Sequence, residues 1–273
     1  MQNKIRNYTI VQMIVVIVVL LFTITCVHKE KPNIFYINSY HEGYPPSDEA
    51  MRAIRDAFPP ENFQLTIRFL DAKRKTADEW RSSAADSFMI EIEKMQPAVV
   101  IFSDDDAVKH LHDFMLTKTE IPFVFCGVNW SAEQYQLPRE NVTGMLEVLP
   151  LKQAIGQLKA IYPQSKTLAV VSENSLSEQN NTVLLDTLYR NMGLEPVYFL
   201  VDDFDAWKAA FVEAQNNANL IYLPTNGAIK GWDNEAARKF VAGHISKPSF
   251  TCDDFMMPYV VFGLTKIPYE QGE

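Results

Sequence analysis

Residues 98–126 read AVVIFSDDDAVKHLHDFMLTKTEIPFVFC, and this stretch contains two kinds of pattern. The runs AVVIF at 98–102 and PFVFC at 122–126 are short and almost continuously apolar, which indicates strands that are buried on both faces. Between them, residues 107–116 carry apolar side chains at helical spacing. A strand, a helix and a second strand in this order predict a right-handed crossover between parallel strands of one sheet.

The same alternation continues on both sides of this stretch. Further strands are predicted at 32–39, 64–70, 167–171, 195–200, 220–223 and 249–252. Further helices are predicted at 77–95, 179–192, 206–216, 234–242 and 48–58, the last with Ser47 as its N-cap. Corresponding elements of the two halves end in similar polar residues. The sequence therefore predicts an α/β protein with two similar lobes, residues 32–147 and residues 148–252, each built on a parallel sheet.

The composition fits a globular protein whose partners are not nucleic acids. The chain has 273 residues, of which 47% are hydrophobic and 22% are charged, as is typical of a protein with a sizeable core. Its formal net charge is −9, whereas nucleic-acid-binding proteins normally carry a basic face or stripe. The acidic balance therefore argues against a nucleic-acid partner.

The first 27 residues are expected to be a targeting segment. Lys4 and Arg6 precede an uncharged, strongly apolar run at 7–27, whose length lies near the boundary between a signal peptide and a membrane-spanning helix. Cys26 stands where a lipoprotein signal places its acylated cysteine, although threonines replace the leucine and the small residue expected three positions and one position before it. The segment is read either as a lipoprotein signal with Cys26 lipidated or as an uncleaved membrane anchor. Both readings place the rest of the chain on the periplasmic or cell-surface side of the inner membrane.

Two further cysteines, Cys126 and Cys252, fall in predicted strands. An exported protein is in a compartment where the two thiols could form a disulfide. The alternative, which we favour, is that both are small apolar strand residues.

Polar side chains follow almost every predicted strand. They form seven groups, at residues 38–40, 71, 103–105, 129–130, 172–174, 225–226 and 253–254. In open parallel sheets, ligands bind beyond the carboxyl ends of the strands. Two sheets whose strand ends face each other would enclose a cleft, and its lining would combine carboxylates, amides and hydroxyls with the rings of Tyr40, Tyr44 and Trp130. This mixture suits a small zwitterion or polar metabolite with an apolar or aromatic part.

Each of these groups also has a purely structural explanation. Ser103 could cap the helix that follows it, and the aspartates after it would be favoured by the helix dipole. Tyr40 and Tyr44 could be packing residues beneath a loop. Lys73 is interpreted as a solvated or structural cation rather than as a group that clamps a ligand.

The sequence does not point to catalysis. Its five histidines are not spaced as metal ligands, and it contains no nucleophile elbow, P-loop, dinucleotide-binding glycine motif or zinc-protease motif. The triple aspartate at 104–106 could hold Mg²⁺ in a phosphotransfer site, but the lysine and threonine that such a site also needs cannot be placed. We therefore predict no catalytic residue, no metal site and no cofactor.

Several longer segments resemble the substrate-binding proteins of ABC importers, in particular the group that includes binders of tryptophan, tyrosine or phenylalanine. The segments are INSYHEGYPPSD at 37–48, FLDAKRK at 69–75, IFSDDDAVKHL at 101–111, PFVFCGVNW at 122–130, NVTGMLEVLP at 141–150 and MMPYVVFGLTKIPYEQGE at 256–273. Similar segments also occur as the extracytoplasmic sensors of histidine kinases and diguanylate cyclases.

This resemblance implies a type I periplasmic-binding-protein fold, with two Rossmann-like lobes, parallel sheets, a ligand cleft between the lobes and hinge closure on binding. The implied ligand contacts lie at strand ends of both lobes: Ser39, Tyr40, Tyr44, Asp104, Asp105, Asn129, Asn174, Thr225, Asn226 and Asp254. In that assignment the carboxylates bind a ligand ammonium group, and the hydroxyls and backbone amides bind a ligand carboxylate. The tyrosines contact the ligand side chain.

The resemblance also implies partners. These are a small-molecule ligand, with an aromatic amino acid as the first candidate, and the permease and ATPase subunits of an ABC importer. The alternative is a ligand-sensing module that partners a membrane kinase or cyclase. In the family the chain continues past the position of Glu273, so residues 253–273 are expected to be the beginning of a truncated return segment, with part of the first lobe's cover missing.

Overall fold

The fold is taken from a computed structural model that describes residues 31–118 and 120–273. Residues 32–273 form one compact unit. The expectations for residues 1–27, including the lipidation of Cys26, lie outside the described residues. Within the described ranges, no helix is both long enough and apolar enough to cross a membrane.

A five-stranded parallel sheet forms the first lobe. Its strands are β1 (Asn33–Asn38), β2 (Gln64–Phe69), β3 (Val99–Ser103), β4 (Phe123–Asn129) and β5 (Val142–Glu147), in the order β2-β1-β3-β4-β5. Its helices are α1 (Pro45–Ala57), α2 (Asp78–Met95) and α3 (Asp104–Thr117). The register pairs Asn38 with Ser103 and Ser103 with Cys126, so the carboxyl ends of these strands meet at one edge of the sheet.

A second five-stranded parallel sheet forms the other lobe. Its strands are β6 (Thr167–Glu173), β7 (Glu195–Val201), β8 (Leu220–Tyr222), β9 (Ser249–Thr251) and β10 (Phe262–Gly263), in the order β10-β9-β8-β6-β7. Its helices are α4 (Leu151–Ile161), α5 (Leu176–Asn191), α6 (Phe204–Asn217) and α7 (Asn234–His244). Because β10 pairs with β9, the second lobe extends beyond residue 252, where the sequence pattern ended it.

Apolar side chains cover both faces of the first sheet. Phe35 and Phe102 belong to the core cluster on one face, whereas Tyr36 and Ile101 belong to the cluster on the other. Such two-sided burial is what the continuous apolar runs predict. The predicted α/β architecture of two parallel-sheet lobes is confirmed.

Three predicted helix starts are wrong by three residues, including that of α5, which begins at Leu176 rather than at 179 because Ser175 caps it. Helix α1 begins at Pro45 rather than at residue 48, because proline is well suited to the first turn of a helix, and the Ser47 hydroxyl donates to Asn38 Oδ1 at 2.6 Å instead of capping the helix. Helix α3 begins at Asp104, three residues before the predicted start, because the aspartates form its first turn.

Three strands or α-helices are not among those predicted from the sequence: β5, α4 and the two-residue strand β10. Strand β5 lies at the edge of its sheet, and its residues 143–146 are exposed, so it lacks the apolar run that marks the other strands. The segment that contains it therefore resembles a linker in sequence.

After Gly263 the chain returns to the first lobe, and we call residues 264–273 the tail. Its short helix Pro268–Gln271 packs against α1, where the Tyr269 hydroxyl donates to Asp56 Oδ2 at 2.9 Å. The amide of Gly127 donates to Gln271 Oε1 at 2.9 Å. The tail thus brings a third segment to the carboxyl edge of the first sheet.

Cys126 and Cys252 are both buried, and both are free thiols. The structure therefore shows both cysteines as buried residues with free thiols, which is the interpretation favoured from the sequence.

Candidate ligand-binding site

A cavity of about 50 Å³ lies where the two lobes and the tail meet. It is lined at the strand ends by Tyr40, Tyr44, Lys73, Asp104, Asn129, Glu147, Ser177, Glu178, Thr225, Asp253, Lys266 and Gln271, among others. Five of these were expected from the sequence, namely Tyr40, Tyr44, Asp104, Asn129 and Thr225. Because both lobes contribute to its wall, a molecule bound here would contact both of them.

Two tyrosines from the loop after β1 form an aromatic wall. The rings of Tyr40 and Tyr44 meet edge to face with their centroids 5.2 Å apart, and Tyr44 also meets Phe255 of the second lobe at 5.6 Å. The loop can turn sharply because Gly43 has a φ of +92°. Both tyrosines are buried, so they are packing residues and cavity-lining residues at once.

Lys73 forms an ion pair that joins the lobes. Its ammonium donates to Glu173 Oε1, and both side chains are almost fully buried, at 2% and 0% exposure. The other oxygen, Glu173 Oε2, accepts from the amide of Ala228 at 2.6 Å. Burial alone would lower the pKa of Lys73, but the Glu173 carboxylate outweighs it and the pKa is raised, so this lysine is a charged structural cation.

A second lysine joins the tail to both lobes. Lys266 Nζ lies 2.5 Å from Glu147 Oε1, at the end of β5, and 3.1 Å from Asp253 Oδ1, just after β9. Burial raises the pKa of Asp253 to about 6 even though the ammonium of Lys266 opposes the shift. Lys266 therefore contacts two carboxyl groups, one from each lobe.

Asp104 presents the least satisfied carboxyl group of the cavity. Its backbone has a φ of +67°, a left-handed conformation that aspartate tolerates better than most residues. Within the part of the chain that the structure describes, no hydrogen bond to its side-chain oxygens is found. Burial and the charge of Glu147 raise the pKa of Asp104 to about 8.

Glu178 faces the cavity from the second lobe, in the first turn of α5. Its carboxyl group accepts hydrogen bonds from Ser172 Oγ and Asn181 Nδ2, both at 2.8 Å. Burial and the neighbouring Glu173 nevertheless raise the pKa of Glu178 to about 7. The cavity thus has carboxyl groups with a raised pKa on both sides, Asp104 from the first lobe and Glu178 and Asp253 from the second.

Ser39 and Asp105 were predicted to contact a ligand, but they do not line the cavity. The Ser39 hydroxyl lies between the carbonyl of Ser103, at 2.5 Å, and the amide of Ala107, at 2.8 Å. Asp105 accepts from Asn129 Nδ2 and from another side chain behind the wall. Their polar atoms are used inside the first lobe, where they hold the turn that presents Asp104.

Three other predicted contacts also lie outside the cavity. The Asn174 amide donates to Asp202 Oδ1 at 3.1 Å, and Asn226 lines a separate surface cleft. Asp254 is exposed and accepts from the amide of Phe255 at 2.7 Å. The pattern of polar strand ends correctly identifies the edge of each sheet at which the cavity lies. It does not identify which side chain of each polar group faces the cavity.

Several charged residues of the cavity were not predicted as ligand contacts: Lys73, Glu147, Glu178, Asp253 and Lys266. Glu147 ends a strand that the sequence pattern does not reveal, and Glu178 lies one turn into a helix rather than at a strand end. Among residues 31–118 and 120–273, no group of three or more His, Cys, Asp or Glu side chains is placed to hold a metal ion.

The raised pKa values of Asp104 and Glu178 predict an unusual pH dependence of stability. Between pH 8 and 6.5 these carboxyl groups bind protons in the folded state, whereas carboxyl groups of the unfolded chain, with a pKa of about 4, stay ionised. The folded state therefore binds more protons, and its stability rises as the pH falls. Each additional proton bound by the folded state raises the free energy of unfolding by about 1.4 kcal/mol per pH unit. The melting temperature should therefore rise by roughly 2–6 °C when the pH is lowered from 8 to 6.5.

Thermal unfolding in buffers of equal ionic strength measures this effect. The window ends at pH 6.5 because the pKa values of His41 and His110 are lowered by burial, so protonation of these rings opposes folding at lower pH. Asp104→Asn should flatten the profile. A melting temperature that stays constant or falls as the pH is lowered from 8 to 6.5 would contradict the raised pKa values of Asp104 and Glu178.

The comparisons with known proteins show which fold this is. No protein-family model matches the chain, and no curated protein sequence matches it. Among solved structures, it is similar to a conserved domain protein from Vibrio cholerae (TM-score 0.67, 15% identity, 89% of this chain and 81% of that one). It is also similar to an ABC domain from Streptococcus pneumonia in complex with L-Trp (TM-score 0.65, 16% identity, 89% and 81%).

A third similar structure is an ABC sugar transporter, described as a periplasmic sugar-binding protein, from Legionella pneumophila (TM-score 0.61, 13% identity, 89% of this chain and 91% of that one). None of these three descriptions is that of an enzyme. The fold implied by the sequence resemblance is confirmed. The chain has the fold of the type I periplasmic binding proteins, which ABC substrate-binding proteins share.

Proposed function

We propose that this protein is an extracytoplasmic solute-binding protein that captures a small molecule between its lobes and presents it to an ABC importer. The observation that carries the proposal is the cavity at the junction of the two lobes and the tail, at the carboxyl ends of both sheets. The protein does no chemistry in this role. A ligand that contacts both lobes favours the closed arrangement because it binds that arrangement better than the open one.

The proposal extends to location and partners. The bulk of the chain faces the periplasm or the cell surface, and the N-terminal segment holds it at the membrane, through Cys26 or through an apolar helix. The permease and ATPase subunits of the importer are the macromolecular partners.

A thermal-shift panel of the full chain in mild detergent tests ligand binding. The panel comprises amino acids, sugars, amines, dicarboxylates and nucleobases. A ligand present at 100 times its Kd adds about 2.7 kcal/mol to the stability, which corresponds to a shift of roughly 5–10 °C for a protein of this size. We expect such a shift with one chemical class, whereas a panel without any shift would remove the support for solute binding.

Transport is separated from sensing in cells. If the protein serves an importer, cells without its gene lose uptake of the identified ligand. If uptake is unchanged and only a response to the ligand is lost, the protein is instead the sensory partner of a kinase or cyclase.

A further inference from the structure

The charges around the cavity are unequal. The carboxyl groups that line it are Asp104, Glu147, Glu178 and Asp253, and the ammonium groups that line it are Lys73 and Lys266, of which Lys73 is paired with Glu173 outside the lining. No arginine of the described residues lines the cavity. The wall is therefore acidic, and the contributions come from both lobes.

Neither lysine is available to a ligand. Lys73 is buried against Glu173, and Lys266 lies between Glu147 and Asp253. A ligand carboxylate could reach either ammonium group only by separating an ion pair and leaving its carboxylate without a cation, which is strongly unfavourable in a buried site.

The helix N-termini at the cavity do not offer an anion site either. Free amides at a helix N-terminus attract anions, but the first turn of α3 carries Asp104 and two further aspartates, and the first turn of α5 carries Glu178. The chain's own carboxyl groups therefore lie beside both helix ends. A ligand with a negative group would meet repulsion at both helix ends.

The oxygen atoms that remain unsatisfied lie on both lobes. No hydrogen bond from a described residue to the Asp104 carboxyl group is found. On the opposite lobe, Asp253 Oδ1 and the hydroxyl of Thr225, which can both donate and accept, have no hydrogen-bond partner among the described residues. Glu178 adds a carboxyl group beside Glu173 without a cation of its own. Together they form a set of oxygen atoms that a donor between the lobes would satisfy.

The chain already shows how this wall binds an ammonium group. Lys73 Nζ lies 4.6 Å from the ring centroid of Tyr40 and 5.5 Å from that of Tyr44. Aromatic faces attract cations in this geometry. The same two tyrosines line the cavity, so a second cation would find rings and carboxylates of the same kind.

We propose that the ligand is a small organic cation, an amine without a carboxylate, held between Asp104 of the first lobe and Glu178 of the second. This inference rests on the proposed solute-binding function. The cavity of about 50 Å³ favours a small ligand. A tryptophan, tyrosine or phenylalanine ligand has a carboxylate that the charges disfavour.

A matched series of four-carbon ligands tests the charge requirement: butylamine, 1,4-diaminobutane, 4-aminobutyrate and succinate, with methylamine as a smaller amine. We expect binding by calorimetry to the full chain for at least one amine and no binding for the two carboxylates. Asp104→Asn and Glu178→Gln should each weaken amine binding at least 10-fold. Asp113→Asn removes the same charge from the fully exposed end of α3 and should leave the affinity unchanged.

The bound amine should also release protons at pH 7. A cation beside Asp104 lowers the raised pKa of that carboxyl group, so the measured binding enthalpy should vary with the ionisation enthalpy of the buffer, and this variation should vanish in Asp104→Asn.

The outcomes separate this inference from the solute-binding function. If an amino acid, a sugar or a dicarboxylate binds and no amine does, the inference is wrong and solute binding stands. If an amine binds with equal affinity to the parent protein and Asp104→Asn, the assignment of Asp104 is wrong. If no compound of any class binds, both are overturned.

Discussion

Replacing Lys73 by methionine is expected to lower the free energy of unfolding by about 3–5 kcal/mol. The substitution leaves the Glu173 carboxylate without its cation at a position where the side chain is 0% exposed. Methionine keeps the length and the apolar stem of lysine, so the lost charge dominates the effect. Urea unfolding of the full chain measures it as a lower midpoint with an unchanged slope.

An exposed lysine provides the control. Lys94→Met, on the outer side of α2, should change the stability by no more than about 0.5 kcal/mol. The double variant Lys73→Met/Glu173→Gln should be more stable than Lys73→Met alone, because glutamine removes the buried charge and still accepts from the amide of Ala228. Equal stability of the single and double variants would show that the charge of Glu173 is not the source of the loss.

This ion pair and the proposed ligand site have related roles. Lys73 reaches across the junction and places its ammonium against Glu173 and two tyrosines. The space beside it is lined by two carboxyl groups, Asp104 and Glu178, that form no ion pair with a described residue. The chain thus supplies one cation of the junction itself. In the proposed function a ligand supplies another, and its binding then favours the closed arrangement that the ion pair already stabilises.

Much of the fold could be predicted from the sequence because its signals are local. Apolar runs and helical spacing mark most strands and helices, and their alternation specifies parallel sheets. The exceptions are elements without a buried periodic pattern, such as the edge strand β5, whose middle residues are exposed. Helix starts shifted where proline or aspartate occupies the first turn, as at Pro45 and Asp104.

The site could be predicted only in part. The strand-end rule places Tyr40, Asn129 and Thr225 at the cavity because β1, β4 and β8 end there. It could not identify the pair of Lys73 and Glu173, whose members are 100 residues apart and meet through the arrangement of the lobes. No local pattern records such a contact, and a lysine in a charged turn resembles a solvated residue.

The second large effect, on the equilibrium between closed and open lobes, is expected at Gly227 of the second lobe, which lies against the Tyr44 ring of the first lobe. A Cβ atom at this position would lie 2.6 Å from Cε2 of the Tyr44 ring, a distance that real Cβ contacts do not show. Alanine would therefore press the second lobe against the aromatic wall of the first. Each lobe has its own core, so separation of the lobes relieves the overlap without unfolding either one.

Gly227→Ala should accordingly favour the open arrangement by about 1–3 kcal/mol, the usual cost of overpacking. Cys126 reports the opening because its buried thiol lines the cavity, whereas Cys252 is buried outside the lining. We expect alkylation of Cys126, followed by peptide mass spectrometry, to become roughly 5–150 times faster, while the rate at Cys252 stays the same.

Gly156→Ala, in α4 with no described atom beyond its own helix backbone within 4 Å of the added Cβ, is the matched control and should change neither rate. Faster alkylation of both cysteines in Gly227→Ala would indicate that the lobes themselves unfold. Unchanged rates at both cysteines would show that the overlap is relieved without opening of the lobes. That result would contradict the role of Gly227 in lobe closure.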